Sequence, residues 1–330
     1  MVNIIIPVYN ARETLPQALD SLVCQTNKKF LVTIVIDGDR LDYSDIIEEY
    51  HGRGLRITTL VLPENHGAGY ARQYAMDYDA HKPAKSDYFM FLDADDMFYP
   101  IAVELLSKGI SREGSDVLAA SFIREKPPEF IEFNSTTSPV TWMHGKIYRA
   151  QYLRDNNIRF LDDIRYNEDS YFNVVAMNCS DKIARITAPV YLWRDNPNSI
   201  TQTKEGGNYF SKSNSQYIIG QVRGLKKITE ITGKFPTDLF TQTIMYIYYA
   251  MMQQEYEQVE DFSYMNDLTS LKEMPEVQEF FLNGENWIKI ANSVKAGAQI
   301  DNENLIFYNT TFSDWAQKYI IKDQVVKDIT

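Results

Sequence analysis

Cysteine is scarce in this chain: Cys24 and Cys179 are the only two among 330 residues. They offer neither metal-ligand spacing nor a disulfide framework, so they read as buried thiols in a reducing compartment. Histidine is also sparse, four in all and none paired with cysteine at ligand spacing, which argues against a zinc site. Positive charge is in deficit. The 33 Lys and Arg face 45 Asp and Glu for a net charge of −12, which argues against broad attraction to nucleic acid or anionic lipid. Local basic density remains at Lys204, Lys212, Arg223, Lys226 and Lys227, balanced by acidic stretches from Glu255 to Asp261 and Glu273 to Glu285; each reads first as a solvated face. Long apolar runs are missing too. The longest, around Ile244 to Met252, falls far short of the roughly 20 residues a membrane span needs. No basic leader precedes Ile4, there is no internal repeat or low-complexity tract, and the expected setting is cytoplasmic.

What the chain has instead is a series of short apolar runs ending in polar residues. Tyr88-Phe89-Met90-Phe91-Leu92 leads into Asp93-Ala94-Asp95-Asp96 and reads as a buried strand delivering carboxylates to its end, where ligands of open parallel sheets gather. Clustered carboxylates there suit a hard cation, Mg2+ or Mn2+, carrying a diphosphate. An acidic loop is the plain alternative, since Asp is common in turns. The N-terminal run from Val2 to Val8 stops at Tyr9-Asn10, before an amphipathic segment from Glu13 to Gln25. Leu31 to Ile36 ends in Asp37-Gly38-Asp39. Ile57 to Leu62 leads through Pro63-Glu64-Asn65-His66-Gly67-Ala68-Gly69 into a helix carrying Arg72. Four such runs alternating with helical segments predict parallel strands covered on both faces, with three strand ends meeting at one crevice. Gly67 and Gly69, at a helix start, offer a seat for phosphate oxygens. Arg72, one turn inside, suits a phosphate, the aspartate cluster or a surface salt bridge.

The texture changes after Thr203. Lys204-Glu205-Gly206-Gly207-Asn208 is linker-like, and Leu239, Thr243, Ile247 and Met251, with Phe240, Ile244, Tyr248 and Met252 beside them, repeat at helical spacing. The expected organisation is an α/β unit over residues 1–205 and a mainly helical unit over residues 206–330, large enough together to bury two cores.

Five of these features stand in a telling order: Ile6-Pro7-Val8-Tyr9-Asn10, the Asp37-Gly38 turn, Asn65-x-Gly67 running to Ala71-Arg72, Asp93-Ala94-Asp95-Asp96, and Glu168-Asp169. In order and approximate spacing, over about residues 1–205, the chain resembles the family 2 glycosyltransferases of the GT-A fold, of the inverting, non-processive kind. The Gln-x-x-Arg-Trp signature of processive synthases is absent. The resemblance implies a Rossmann-like mixed sheet with helices on both faces, a nucleotide-diphosphate sugar donor, most often a UDP-sugar, and Mn2+ or Mg2+ as cofactor. It implies that Pro7, Tyr9 and Asp37, with Asn10 beside them, bind the donor's nucleoside, and that Gly67 and Arg72 border the nucleotide. In the aspartate cluster, alternate residues diverge. Asp95 is therefore assigned to the metal and Asp93 to the ribose or sugar, with Ala94 between them on the donor and Asp96 a further candidate. Relatives carry two acidic residues before the glycine of the second motif; Ile36 fills the first place here and leaves Asp37 as the candidate.

Asp169 matches the family's catalytic base, with Glu168 beside it. In isolation, carboxylates opening a helix serve equally as caps or dipole partners. Met143-His144-Gly145-Lys146-Ile147-Tyr148-Arg149 resembles the stretch preceding that base, and His144 is open to three roles: metal ligand, diphosphate contact or part of the acceptor pocket. Trp193-Arg194 resembles the segment that closes the catalytic domain, with Arg194 reaching the diphosphate; a capped edge strand before a turn at Asn196-Pro197-Asn198 is the alternative. The acceptor stays open among a glycan, a cell-wall polymer such as teichoic acid and a hydroxymethylated DNA base, and the helical unit is a candidate for acceptor binding or oligomerisation. Two other classes compete. A silent glycan-binding protein on the same fold is disfavoured by intact Asp95 and Asp169, and a nucleotidyltransferase by the missing glycine-rich, arginine-containing N-terminal loop.

Overall fold

The first four apolar runs become β1 (Val2–Val8), β2 (Phe30–Asp37), β3 (Ile57–Leu62) and β4 (Tyr88–Phe91), parallel and ordered β3-β2-β1-β4. The computed structural model describes residues 1–126, 130–134, 142–197, 199, 208–256, 258, 260–287, 289–290 and 311–322. Ile4, Ile5 and Ile6 of β1 are fully buried, as the near-continuous apolar sequence of an inner parallel strand requires. Val61 of β3, by contrast, is 63% exposed; in this strand, which ends the order, only Leu62 is buried.

Past β4 the sheet turns mixed, with β5 (Met97–Phe98), β6 (Val117–Lys126), β7 (Phe130–Asn134), β8 (Lys146–Arg149) and β9 (Ile183–Trp193). The order continues β4-β8-β6-β9-β5, and β7 pairs with β6. β8 runs antiparallel to β4 and β6, whereas β9 runs parallel to β6. The antiparallel insertion of β8 decides where the site forms. Met90 faces Ile147, so the residues just before β8 come level with those just after β4. Gly145 permits that approach: its φ is +66°, and a Cβ there would lie 2.9 Å from the Ala120 carbonyl.

Helices α1 (Leu15–Val23), α2 (Ser44–Gly52), α3 (Ala68–Ala80), α4 (Ala102–Glu113), α5 (Ala150–Asp155) and α6 (Glu168–Asn178) accompany the sheet. α1 shows why: Leu15, Ala18, Leu19 and Leu22 recur on one face and are buried, and a proline sits in its first turn, where its missing N–H costs nothing. Each large apolar side chain so buried stabilises the fold by about 1.5–3 kcal/mol before chain entropy is counted. α3 is different, because it buries Arg72, Gln73 and Asp79 alongside its alanines.

The chain divides into two units, Met1–Thr203 and Lys204–Thr330. The second is helical among the described residues: α7 (Asn208–Thr232), α8 (Thr237–Tyr256), α9 (Met265–Lys272), α10 (Pro275–Leu282) and α11 (Phe312–Tyr319). The repeating positions of α8 pack inward: Phe240, Thr243, Ile244, Ile247, Tyr248, Met251 and Met252 are all buried. Among the described residues no helix is long and apolar enough to cross a membrane. The cysteines correct the sequence reading. Cys24 is exposed and Cys179 only partly buried, because each is the residue at which a helix, α1 or α6, stops.

Candidate active site

Three side chains from two strand ends converge where β4 finishes and β8 begins. Donor atoms of Asp93, Asp96 and His144 all lie within 4.8 Å of one another. The sequence reading gave the metal to Asp95; among the described residues the trio that meets comprises its two neighbours and the histidine. Asp95 Oδ2 instead accepts from Asn196 Nδ2 at 2.8 Å. Asp96 is buried, accepting from the Tyr191 hydroxyl at 2.6 Å and from the Arg194 backbone N–H at 2.8 Å. Burial, then the charges of Asp93 and Asp95, push its carboxyl well above the ordinary range. Asp95 is raised too, by burial first and Asp93 second.

His144 is 7% exposed, and its ring stacks on Tyr191 at 4.6 Å with Phe122 at its edge. Burial pulls its pKa down to about 3, so the imidazole is neutral and has a lone pair to give a metal. Its Nδ1 is buried without a hydrogen-bond partner. Crowded carboxylates beside a neutral imidazole, whose Nε2 lies 4.0 Å from Asp96 Oδ2, are a donor set that fits a divalent cation.

Arg72 ties this corner to the proposed base. One edge of its guanidinium meets Asp93 Oδ1 at 2.5 Å and the other meets Glu168 Oε1 at 2.8 Å. The side chain is almost wholly buried, and its two carboxylates hold the guanidinium firmly charged, well above its usual pKa. Sequence reading offered Arg72 to a phosphate, to the aspartate cluster or to a surface salt bridge; the structure pairs its two terminal nitrogens with Asp93, of that cluster, and with Glu168. Asn167, at φ +59°, turns the chain so that Glu168 and Asp169 open α6 side by side. Asp169 Oδ1 accepts from the Ser170 N–H at 2.8 Å. Burial, then the Glu168 charge, raise its pKa to about 7 against the pull of Arg72. The residue keeps part of its surface accessible.

At the end of β1, Tyr9 is 52% exposed, and Pro7 lies within the strand opposite Val35. Asn10 holds φ +50°, and its N–H donates to Asp39 Oδ2 at 2.6 Å. Asp37 is buried, with its two oxygens taken by the backbone N–H groups of His66 (2.9 Å) and Gly67 (2.7 Å). Asp37 and Gly67, read separately as base and phosphate contacts, thus form one lock joining the ends of β2 and β3. Ala94 packs into the core. The Arg194 side chain lies 3.9 Å from Glu125.

The roles of four residues escaped the sequence reading. Tyr191 and Asn196 hold Asp96 and Asp95 from the far end of the domain, with no local signal. Gly69, read as a phosphate-loop glycine, makes room for Glu168: a Cβ there would lie 2.6 Å from its Cγ. Lys146 is buried, donates to the Trp142 carbonyl and is pulled by burial to a pKa of about 8, with Asp169 opposing the shift. A separate cleft of about 610 Å3, lined by Arg112, Lys182 and Arg185 among others, sits at the opening ends of β6 and β9 and contains none of these residues.

Carboxylates gathered at parallel strand ends, an antiparallel insertion supplying His144, and a helix opening on paired acids define a glycosyltransferase domain of the GT-A type. Residues 3–165 match the family model described as Glycosyl transferase family 2, so this stretch of the chain is a family 2 glycosyltransferase domain. Asp169 lies just beyond the matched stretch. The chain is 26% identical over 223 residues to the uncharacterized glycosyltransferase EpsJ of Bacillus subtilis strain 168, covering 61% of this chain and 63% of EpsJ. It is 27% identical over 230 residues to the poly(ribitol-phosphate) beta-N-acetylglucosaminyltransferase TarS of Staphylococcus aureus, covering 64% of this chain but 37% of TarS. The curated relatives are therefore longer than the stretch they share with it. In structure, the chain is similar to S. aureus TarS 1-349 in complex with UDP-GlcNAc, at a TM-score of 0.63 and 17% identity, covering 92% of this chain and 91% of that one. It is similar in fold also to a mannosyltransferase from Pyrobaculum calidifontis in complex with GDP-Man and Mn2+, at a TM-score of 0.52 and 12% identity, covering 94% and 88%.

Proposed function

We propose that this protein transfers a sugar from a UDP-sugar to a hydroxyl of a polyol-phosphate or glycan polymer, inverting the anomeric centre with the help of Mn2+ or Mg2+. The observation that carries the reading is the Arg72 fork. It joins Asp93, of a cluster fit for a cation, to Glu168, next to Asp169, whose carboxyl is raised to about 7. The names of the relatives supply the donor and acceptor classes.

In this reading Asp93, Asp96 and His144 would hold the cation, which when bound would supply positive charge against the leaving diphosphate. Asp95 faces the donor from beside them, with Asn196 fixing its carboxylate. Asp169 accepts the acceptor hydroxyl's proton as that oxygen attacks the anomeric carbon. A base with a pKa near the working pH combines a sufficient ionised fraction with real proton affinity, a contribution of roughly 10²–10⁴ in rate. Glu168 and Arg72 keep Asp169 beside the donor without touching the reacting atoms. Tyr9 and Asn10 flank the donor's nucleobase and Pro7 lies beneath them, while the Asp37–Gly67 lock shapes the pocket wall. Residues 1–205 form the catalytic domain and 206–330 the acceptor-binding or oligomerisation region. The setting is cytoplasmic, in keeping with two cysteines at helix ends rather than a disulfide framework.

The test is release of UDP from UDP-GlcNAc and UDP-glucose, with poly(ribitol phosphate) as acceptor and Mn2+ present or chelated. Acceptor-stimulated release that stops with EDTA supports the reading. Absence of release with any UDP-sugar, alongside normal folding, sinks it.

A further inference from the structure

Tyr191 of β9 touches each residue of the converging trio. Its hydroxyl donates to Asp96 Oδ2 at 2.6 Å and accepts from the Asp93 backbone N–H at 3.3 Å. Its ring stacks on the His144 imidazole with centroids 4.6 Å apart and 23° between the planes. The side chain is buried, and its edge contact with Phe98, at 5.5 Å and 80°, leaves the ring little freedom. A phenol has one proton to give and lone pairs to receive. Here the proton fixes the orientation of the Asp96 carboxylate, and a lone pair anchors the backbone from which Asp93 springs. The ring face sets the plane of the imidazole. One side chain thus constrains a carboxylate, a strand end and a histidine together.

We infer that Tyr191 is a positioning residue for the cation's ligand set, holding Asp93, Asp96 and His144 in mutual reach while contributing no ligand itself. The inference rests on the cation site proposed above. It has a physical basis in how outer partners act: they fix ligand orientation, and their loss costs roughly 10–100-fold in metal affinity. If Tyr191 were only a core residue, its ring would matter and its oxygen would not.

Tyr191→Phe separates the two, because it keeps the ring and removes the oxygen alone. Tyr152→Phe is the control, since Tyr152 also buries a bonded hydroxyl, donating to the Ala176 carbonyl at 2.9 Å, but touches none of the trio. Mn2+ is titrated into the full-length protein, alone and with UDP, and the free aquo-ion is read by electron paramagnetic resonance against a protein-free UDP blank. Thermal melts are taken in parallel. Tyr191→Phe should weaken Mn2+ binding by roughly 10–100-fold, while Tyr152→Phe stays within about twofold of the parent and melts at a similarly lowered temperature. Mn2+ affinity within about twofold of the parent in Tyr191→Phe overturns the assignment and leaves the cation site standing. A parent protein that binds no Mn2+ with or without UDP overturns both.

Discussion

Arg72 and Asp169 set opposite demands on the stability of the site. Arg72 is buried between two carboxylates, and removing one partner of such a group strands the others without solvent. Arg72→Met should therefore lower the unfolding free energy by about 3–5 kcal/mol. Arg159→Met, which breaks a pair with Asp77 at 2.8 Å in which both side chains are more than 40% exposed, should change it by under about 1 kcal/mol. Chemical denaturation of both variants checks this, and equal losses would show that the fork is no more than a surface bridge. Asp169 runs the other way. Its folded pKa of about 7 lies above the roughly 3.9 of an unfolded aspartate, so the folded chain binds the proton more tightly. Its contribution to stability is intact below about pH 4 and declines as pH rises towards 7. Asp169→Asn should consequently melt above the parent at pH 8 and no longer do so at pH 4, a sacrifice of stability for a working base. Identical melting shifts at both pH values would contradict it.

The elements that carry the site were unequally legible in the sequence. β1, β2 and β4 announce themselves as apolar runs because inner strands bury both faces, and the carboxylates at the ends of β2 and β4 could be read off directly; β3, at the edge, is the less buried run. The Glu168-Asp169 opening of α6 was legible for the same local reason. What could not be read was that Asp93 and Asp96 would meet a histidine to form a candidate trio. Divergence along the chain favoured Asp95, but β8 lies antiparallel beside β4 and brings His144 to the side that Asp93 and Asp96 share, a register fixed by pairing between distant segments. Gly69 has a further role that its local sequence did not show: its missing side chain makes room for α6, about a hundred residues further on. Gly69→Ala should then act as a packing mutation. With a Cβ 2.6 Å from Glu168 Cγ, it should force α3 and α6 apart, costing about 1–3 kcal/mol, and should lower kcat more than it raises the Km for the donor. An alanine variant of parental stability would mean that Glu168 has another place to go.

At the scale of the molecule, the Met1–Thr203 unit owns its core. The large apolar cluster runs from Val2 to Tyr191 within it, and every residue of the candidate site lies there. A chain ending at Thr203 is expected to fold cooperatively and to gain thermal stability from UDP with Mn2+, by preferential binding to the native state. Loss of that nucleotide response, with the fold retained, would assign part of the donor site to residues 204–330. The most direct measurement of the central claim is the rate of acceptor-dependent UDP release as a function of pH for the parent and for Asp169→Asn, with UDP affinity measured on both. The account predicts an acid limb centred near pH 7 in the parent, and in the variant a rate lower by roughly 10²–10⁴ with UDP binding unchanged. An Asp169→Asn enzyme that transfers sugar at the parental rate would contradict it.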